Sequence, residues 1–197
     1  MQNGYKQAET NRRMKNLITA TLFFFSFSVM GQTFHTEFKN NGVTIQNSYP
    51  KGGQKYTDPD SGNEYVYVVF WTCITNGTAS NLELALDFPN DSFIIPSSPN
   101  TRFNLYVPRE EMTLEQESLF NYGLDIKSFL DENIAKPSSV RTAISPNDAY
   151  LFYTVVISNR GVNGPVRAGY ELKNQDVVYT INGYSFNCGS LIAQKDE

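Results

Sequence analysis

After residue 32, apolar and polar positions alternate in short runs broken by Gly, Pro, Asn and Asp, the texture of an antiparallel β-protein. The clearest run is residues 65–75, YVYVVFWTCIT, where Tyr65, Tyr67, Val69, Trp71 and Cys73 fall on one face and Val66, Val68, Phe70 and Ile74 on the other. Both faces are apolar. The strand is therefore expected to be central and covered twice, inside a sandwich with a second sheet or a helix over its outer side. Asn76-Gly77 then supplies a turn, and Leu82, Leu84 and Leu86 alternate with Glu83, Ala85 and Asp87. That is a strand with one wet face, expected to pair with the strand before it. Short pieces follow at 93–95 and 102–107.

The period then changes. Thr113 with Gln116 fits a capping box, and Leu114, Leu119 and Phe120, then Ile126, Phe129 and Leu130, fall at helical spacing around Gly123. Two short helices are predicted, over 114–122 and 125–133, with Gly123 ending the first at a positive φ. The last third returns to strands at 149–158, 166–172 and 177–181, with a turn at Asn174, read as a three-strand meander. With an early strand over 43–46, the expectation is a mainly β fold: an antiparallel β-sandwich, Ig-like or related, of about eight strands with a short helical insertion. A barrel is the second choice.

The front of the chain has a different pattern: a basic stretch (Arg12, Arg13, Lys15), an apolar run over 17–30, and Val29 and Gly31 three and one residues before a cut. This resembles a secretory signal peptide of the bacterial type. The apolar run is 14 residues, whereas a helix crossing the hydrocarbon needs about twenty. The expected division is residues 1–31 as signal peptide and 32–197 as one β-sandwich domain. Met14-Lys15-Asn16 resembles a true start, which would make 1–13 an upstream extension. No Cys follows the apolar run to carry a lipid, and no later run approaches spanning length, so no stable membrane insertion is expected after cleavage. The product would be secreted or periplasmic.

Cleavage changes the charge. Four of 16 Lys+Arg and one of 20 Asp+Glu lie ahead of residue 32, leaving 12 basic residues against 19 acidic, a net of −7. Such a surface repels phosphate backbones, and no basic run interleaved with aromatics offsets it, which argues against nucleic acid as a partner.

Candidates for chemistry are few. The one histidine, His35, lies where an edge strand or frayed end is expected, and no nucleophile motif accompanies it. One His and two distant Cys do not make a zinc set, and no cofactor is expected. Residues 58–64 (DPDSGNE) resemble a calcium loop, but Gly62 precedes Asn63 where an EF-hand needs the reverse, so a polar turn is the better reading. Glu110, Glu111, Glu115, Glu117, Asp125, Asp131 and Glu132 cluster around the helical insertion and supply the carboxylates a glycoside hydrolase would need, although a solvated helix face has the same composition.

Trp71, Tyr65 and Tyr67 read as core. Tyr49, Tyr56, Tyr106 and Tyr122 lie nearer loops and are the first candidates for ligand contact. Asn76-Gly77-Thr78 and Asn90-Asp91-Ser92 match the glycosylation sequon, and neither is assigned a glycan. Cys73 and Cys188, an even pair in an exported chain, are expected to form a disulfide, closing a loop whose unfolded-state entropy is worth roughly 5 kcal/mol.

The leading functional expectation is an exported non-catalytic β-sandwich that binds an envelope or extracellular protein or a glycan. The others are a small extracellular carboxylate-dependent hydrolase, and a structural subunit of a surface assembly built by strand exchange at an open edge.

Overall fold

A computed structural model describes residues 34–194. Twelve strands run in the order β1 (Phe34–Asn40), β2 (Val43–Ser48), β3 (Lys51–Thr57), β4 (Glu64–Asn76), β5 (Leu82–Phe88), β6 (Phe93–Ile95) and β7 (Ser98–Tyr106). A helical insertion containing α1 (Ile126–Asn133) follows, then β8 (Ser138–Ile144), β9 (Ala149–Ser158), β10 (Ala168–Lys173), β11 (Asp176–Ile181) and β12 (Tyr184–Ala193). All pairings are antiparallel and make two sheets in a sandwich-like arrangement, one of them curled as a half-barrel. One sheet has the order β1-β2-β4-β9-β7-β6 with β3 also on β4; the other is β10-β11-β12-β5-β8. The expected signal peptide lies outside the described residues. Among those described, no helix is long and apolar enough to cross a membrane.

The doubly apolar strand is at the centre, as its pattern implies. Phe70 and Ile74 of β4 join Ile45, Phe152, Val156, Leu84, Leu86 and Tyr179 in the core between the sheets. Tyr67, Val69, Trp71 and Cys73 face the other way, under Met112, Tyr122, Leu124, Ile126, Phe129 and Leu130 of the insertion. The fold thus has a third layer, and the centre of the large sheet, β4 and β9, is dry on both faces.

Two pairing expectations are corrected. Leu82–Phe88 does not pair with the strand before it, because both edges of β4 are occupied, by β2 and β3 on one side and β9 on the other. The chain instead crosses to the second sheet, where β5 lies between β12 and β8. Asn76 secures this crossing: its buried amide donates to Ile144 O at 2.8 Å and Ser80 O at 2.9 Å. An amide so engaged is closed to glycosylation. The meander likewise begins one strand later than expected, since β9 belongs to the large sheet and β10, β11 and β12 follow one another in the small one.

The first expected helix is not α-helical. Two 3-10 turns, Leu114–Ser118 and Phe120–Gly123, stand in its place. Leu114, Leu119 and Phe120 are exposed, so no apolar stripe on this segment drives a regular helix against the sheet. Gly123 has the expected positive φ, +78°, but Asn121 and Tyr122 are left-handed as well. α1 forms as read, with Asp125 at its N-cap accepting from Ser128 N at 3.2 Å.

The Cys73–Cys188 disulfide is also corrected: both are free thiols. Cys73 points into the layer beneath the insertion and Cys188 into the core between the sheets, so the large sheet separates them. Cys188 donates to Val177 O at 3.3 Å, and burial pushes its thiol up to about 12.

At the seam where β10 of the small sheet meets the large one, Asn47 substitutes for a ladder. Its Oδ1 accepts from Tyr170 N at 2.9 Å and Thr72 Oγ1 at 3.0 Å; its Nδ2 donates to Tyr170 O and Thr36 Oγ1, both at 3.1 Å. Gly169 permits this approach, since a Cβ there would lie 2.7 Å from Asn47 Cγ.

Candidate functional site

The carboxylates expected to serve a hydrolase divide. Glu110, Glu111, Asp125 and Glu132 line a cavity of about 250 Å³ beside Gln116, Ser128 and Tyr153. Asp125 is spent on capping α1, and Ser128 holds its carboxyl below the usual range. Glu110, Glu111 and Glu132 are exposed. Asp131 accepts from Tyr56 Oη at 2.9 Å and pairs with Lys127 at 2.5 Å, with Lys127 the larger cause of its lowered pKa. Glu115 is also lowered, chiefly by Thr113. A general acid needs the opposite environment, burial that raises its pKa. Asp125, Asp131 and Glu115 are all pushed the wrong way for that task.

The loop tyrosines singled out for ligand contact are mostly structural. Tyr56, Tyr106 and Tyr122 are buried, and their hydroxyls fasten the outer layer: Tyr56 to Asp131, Tyr106 to Ile134 O at 2.6 Å, and Tyr122 to Tyr49 O. Tyr153 adds a bond to Tyr122 O at 2.8 Å. Lys51 reinforces the same attachment, donating to the carbonyls of Glu117 and Leu119 with its ammonium 4.2 Å from the Tyr122 ring centre. Of the four candidates Tyr49 alone is exposed. Trp71 is buried, as read.

The loop at 58–64 turns β3 into β4. Asp58 is buried, and its carboxylate accepts from Asp60 N at 3.0 Å and from Ser61 Oγ, which lowers its pKa. A carboxylate satisfied by its own turn has little left for a cation, in keeping with the polar-turn reading. The backbone of His35 is in β1, an edge strand.

Two open cavities flank the loop 89–92. At the mouth between the sheets, where β6 faces β12, a cavity of about 290 Å³ is lined by Phe93, Leu105, Tyr184 and Phe186, with Asp87, Asp91, Ser92 and Asn187 among its polar lining. Phe93 stacks on Tyr184 with ring centroids 5.9 Å apart and 16° between planes. Phe186 lies 5.3 Å from Phe93 and 5.9 Å from Tyr184. Phe93 also stacks on the buried Phe103, and Phe186 is tilted 57° to Phe93 and 42° to Tyr184, so the three half-buried rings make a stepped aromatic lining, not one plane. On the outer side of the same loop, a shallow groove of about 520 Å³ carries Asn63, Tyr65, Asn90, Asp91, Ser92 and Asn104 among its lining. Asn104 Nδ2 donates to Asn90 O at 3.0 Å, which fixes the loop between the two.

A third cleft, about 500 Å³, follows the seam between β1 and β10 and is lined by Phe38, Arg167 and Tyr170 among others. It runs along β1 and β10, one terminal strand from each sheet, and is one place where strand exchange would add a strand. The backbone N–H and C=O of Tyr170 are already taken by Asn47 there, so an incoming strand would have to displace that amide.

Sequence reasoning missed the aromatic floor because residues 184–193 were not read as a strand. The available signal was the alternation of Tyr184, Phe186 and Cys188 immediately after Asn182-Gly183. No protein-family model matches the chain, and no curated protein matches its sequence.

Proposed function

We propose that the protein is an exported, non-catalytic binding module, secreted or periplasmic, that holds an extracellular ligand at the end of its β-sandwich marked by loop 89–92. The observation that carries this reading is the floor of Phe93, Tyr184 and Phe186, left half-open to solvent beside polar side chains. Apolar concavity with a few convergent polar groups is the usual composition of a ligand site. A site at loops joining strands at one end of a sandwich is the arrangement Ig-like modules use, and it suits a relative of that class. The carboxylates beside the insertion support binding over hydrolysis, since capping and ion pairing hold Asp125 and Asp131 ionised.

The test pairs binding with turnover. Purified protein is incubated with an extracellular polysaccharide and peptide panel, and retention is measured alongside release of reducing ends and of new amino termini. Retention without release is expected, and it is expected to be lost in Tyr184→Ala. Release of products that depends on Glu110, Glu111 or Glu132 would replace this reading with the hydrolase.

A further inference from the structure

Resting on that reading, we propose that the mouth between β6 and β12 is a subsite for one ring of a neutral polysaccharide, with the neighbouring sugars running over loop 89–92 into the outer groove. The floor dictates the shape of the ligand. Its rings touch one another at 5.3 to 5.9 Å between centroids, so no gap between them admits a cationic head, as an aromatic cage would require. A close-packed, stepped set of half-buried rings instead suits a weakly polar surface laid against one ring, Tyr184, which the C–H face of a pyranose provides. The cavity of about 290 Å³ is at the small end for a ligand site, the size of a ring and not of a helix or a peptide segment.

The polar lining points the same way. Asp87 is committed to Arg141 at 2.5 Å, and Asn187 Oδ1 accepts from Gly189 N at 2.8 Å, leaving the Asn187 amide N–H₂. The Asp91 side chain is exposed and makes no hydrogen bond among the described residues. An amide donor and a carboxylate acceptor in the same lining as the rings match hydroxyls, which both give and accept. Asp91 lines the cavity on a domain whose residues 32–197 carry a net charge of −7, which disfavours uronic or other acidic sugars. A chain is favoured over a free monosaccharide because Asp91 and Ser92 line both cavities. Beyond them Asn63, Asn90 and Tyr65 line the outer groove, two amides and a ring for adjoining residues.

The experiment is a titration of the purified, ¹⁵N-labelled protein with cellohexaose, laminarihexaose, xylohexaose and mannohexaose, with oligogalacturonate as the acidic comparison, reading amide shifts. At least one neutral hexaose is expected to move Asp91, Ser92, Tyr184 and Asn187 saturably. Tyr184→Leu, which keeps apolar bulk but removes the flat face, is expected to weaken it about tenfold or more. Asp91→Ala, at an exposed side chain that the fold does not use, is expected to weaken it as well, and Asp91→Asn to restore part of the loss. Ile192→Ala, distant and exposed, is expected to change nothing. The proposal is overturned if no neutral hexaose moves these amides, if oligogalacturonate binds more tightly, or if neither Tyr184→Leu nor Asp91→Ala alters the affinity. An apolar dye such as anilinonaphthalene sulfonate separates the two levels. Dye shifts at these amides without any hexaose shift would remove the sugar and leave the binding module, whereas neither shift would remove both.

Discussion

Replacing Asn47 with Ala removes a side chain that stitches β10 to the large sheet through both backbone groups of Tyr170. Four hydrogen bonds are lost, at 2.9 to 3.1 Å. The hydroxyls of Thr36 and Thr72 can rotate toward other partners, so the lasting cost is at Tyr170, whose N–H and C=O lose their only surrogate strand. A buried polar group left unsatisfied costs about 1–3 kcal/mol, so two give about 2–6 kcal/mol, a large part of a stability of about 5–15 kcal/mol. In a domain of this size that is roughly 6–18 °C of melting temperature. Thermal and urea unfolding followed by Trp71 fluorescence measure the loss, and amide exchange at Tyr170 localises it: slow in the wild type despite the edge position of β10, fast in Asn47→Ala. Asn47→Asp sharpens the argument. An ionised carboxylate cannot donate to Tyr170 O, whereas the protonated acid can, so its deficit is expected to shrink as pH falls below the carboxylate range. A loss under 1 kcal/mol with unchanged Tyr170 exchange would refute the idea that this amide closes the seam.

Other outcomes follow from the same geometry. Gly189→Ala is expected to prevent folding to a soluble product, because its Cβ would lie 1.9 Å from Ala85 O, a backbone atom of the paired strand β5 that cannot give way; soluble yield and circular dichroism decide it. Thiol labelling of the unfolded, non-reduced protein is expected to find two free cysteines, and the native protein to protect both. Cys188, pushed by burial from 9.0 up to about 12, stays protonated in the folded state while the unfolded thiol ionises near 9. Its contribution is complete below pH 9 and lost as pH rises toward 12, by up to about 1.4 kcal/mol per pH unit. The buried Tyr170 and Tyr179 hydroxyls beside it, also raised, act in the same direction, so a shallower alkaline decline in Cys188→Ala isolates the thiol. Amino-terminal sequencing of the protein recovered from cells is expected to begin at Gln32, and a start that retains residues 17–30 would overturn export with cleavage.

The parts of the fold legible in the sequence are those where burial imposes a period. β4 and β9 are covered on both faces, and their apolar runs marked them with accurate bounds. α1 was legible because Ile126, Phe129 and Leu130 make a real stripe behind a real cap. The missing strands are those the period does not mark. β3 (KGGQKYT) is largely exposed and carries two glycines, and β1 and β8 are edges with mixed faces. β1 and β12 nevertheless had a signal, since Asn41-Gly42 and Asn182-Gly183 both adopt consecutive positive φ values, the demand of a two-residue hairpin turn. Asn76-Gly77, which reads the same, does not: Asn76 ends β4 with its amide buried, and the dipeptide begins a crossing between sheets. A dipeptide gives the local bend, but only occupancy of the neighbouring edges decides whether a hairpin follows.

The candidate site was less legible for a related reason. Its three rings come from β6 and β12, far apart in the chain, and each is half-buried, so each alone has the pattern of an ordinary core position. What distinguishes them is where the two sheets end. Loop tyrosines gave the opposite error. Position near a loop suggested exposure for Tyr56, Tyr106 and Tyr122, yet their rings lie in the outer core and their hydroxyls hold down the insertion. Sealing one face of the large sheet in this way consumes both the aromatic residues and several of the carboxylates that a surface site could have used there. The sandwich mouth is left as the place where half-buried rings meet side chains with hydrogen-bonding capacity to spare, Asp91 and the Asn187 amide N–H₂, and that division of labour makes it the stronger place to look for a ligand.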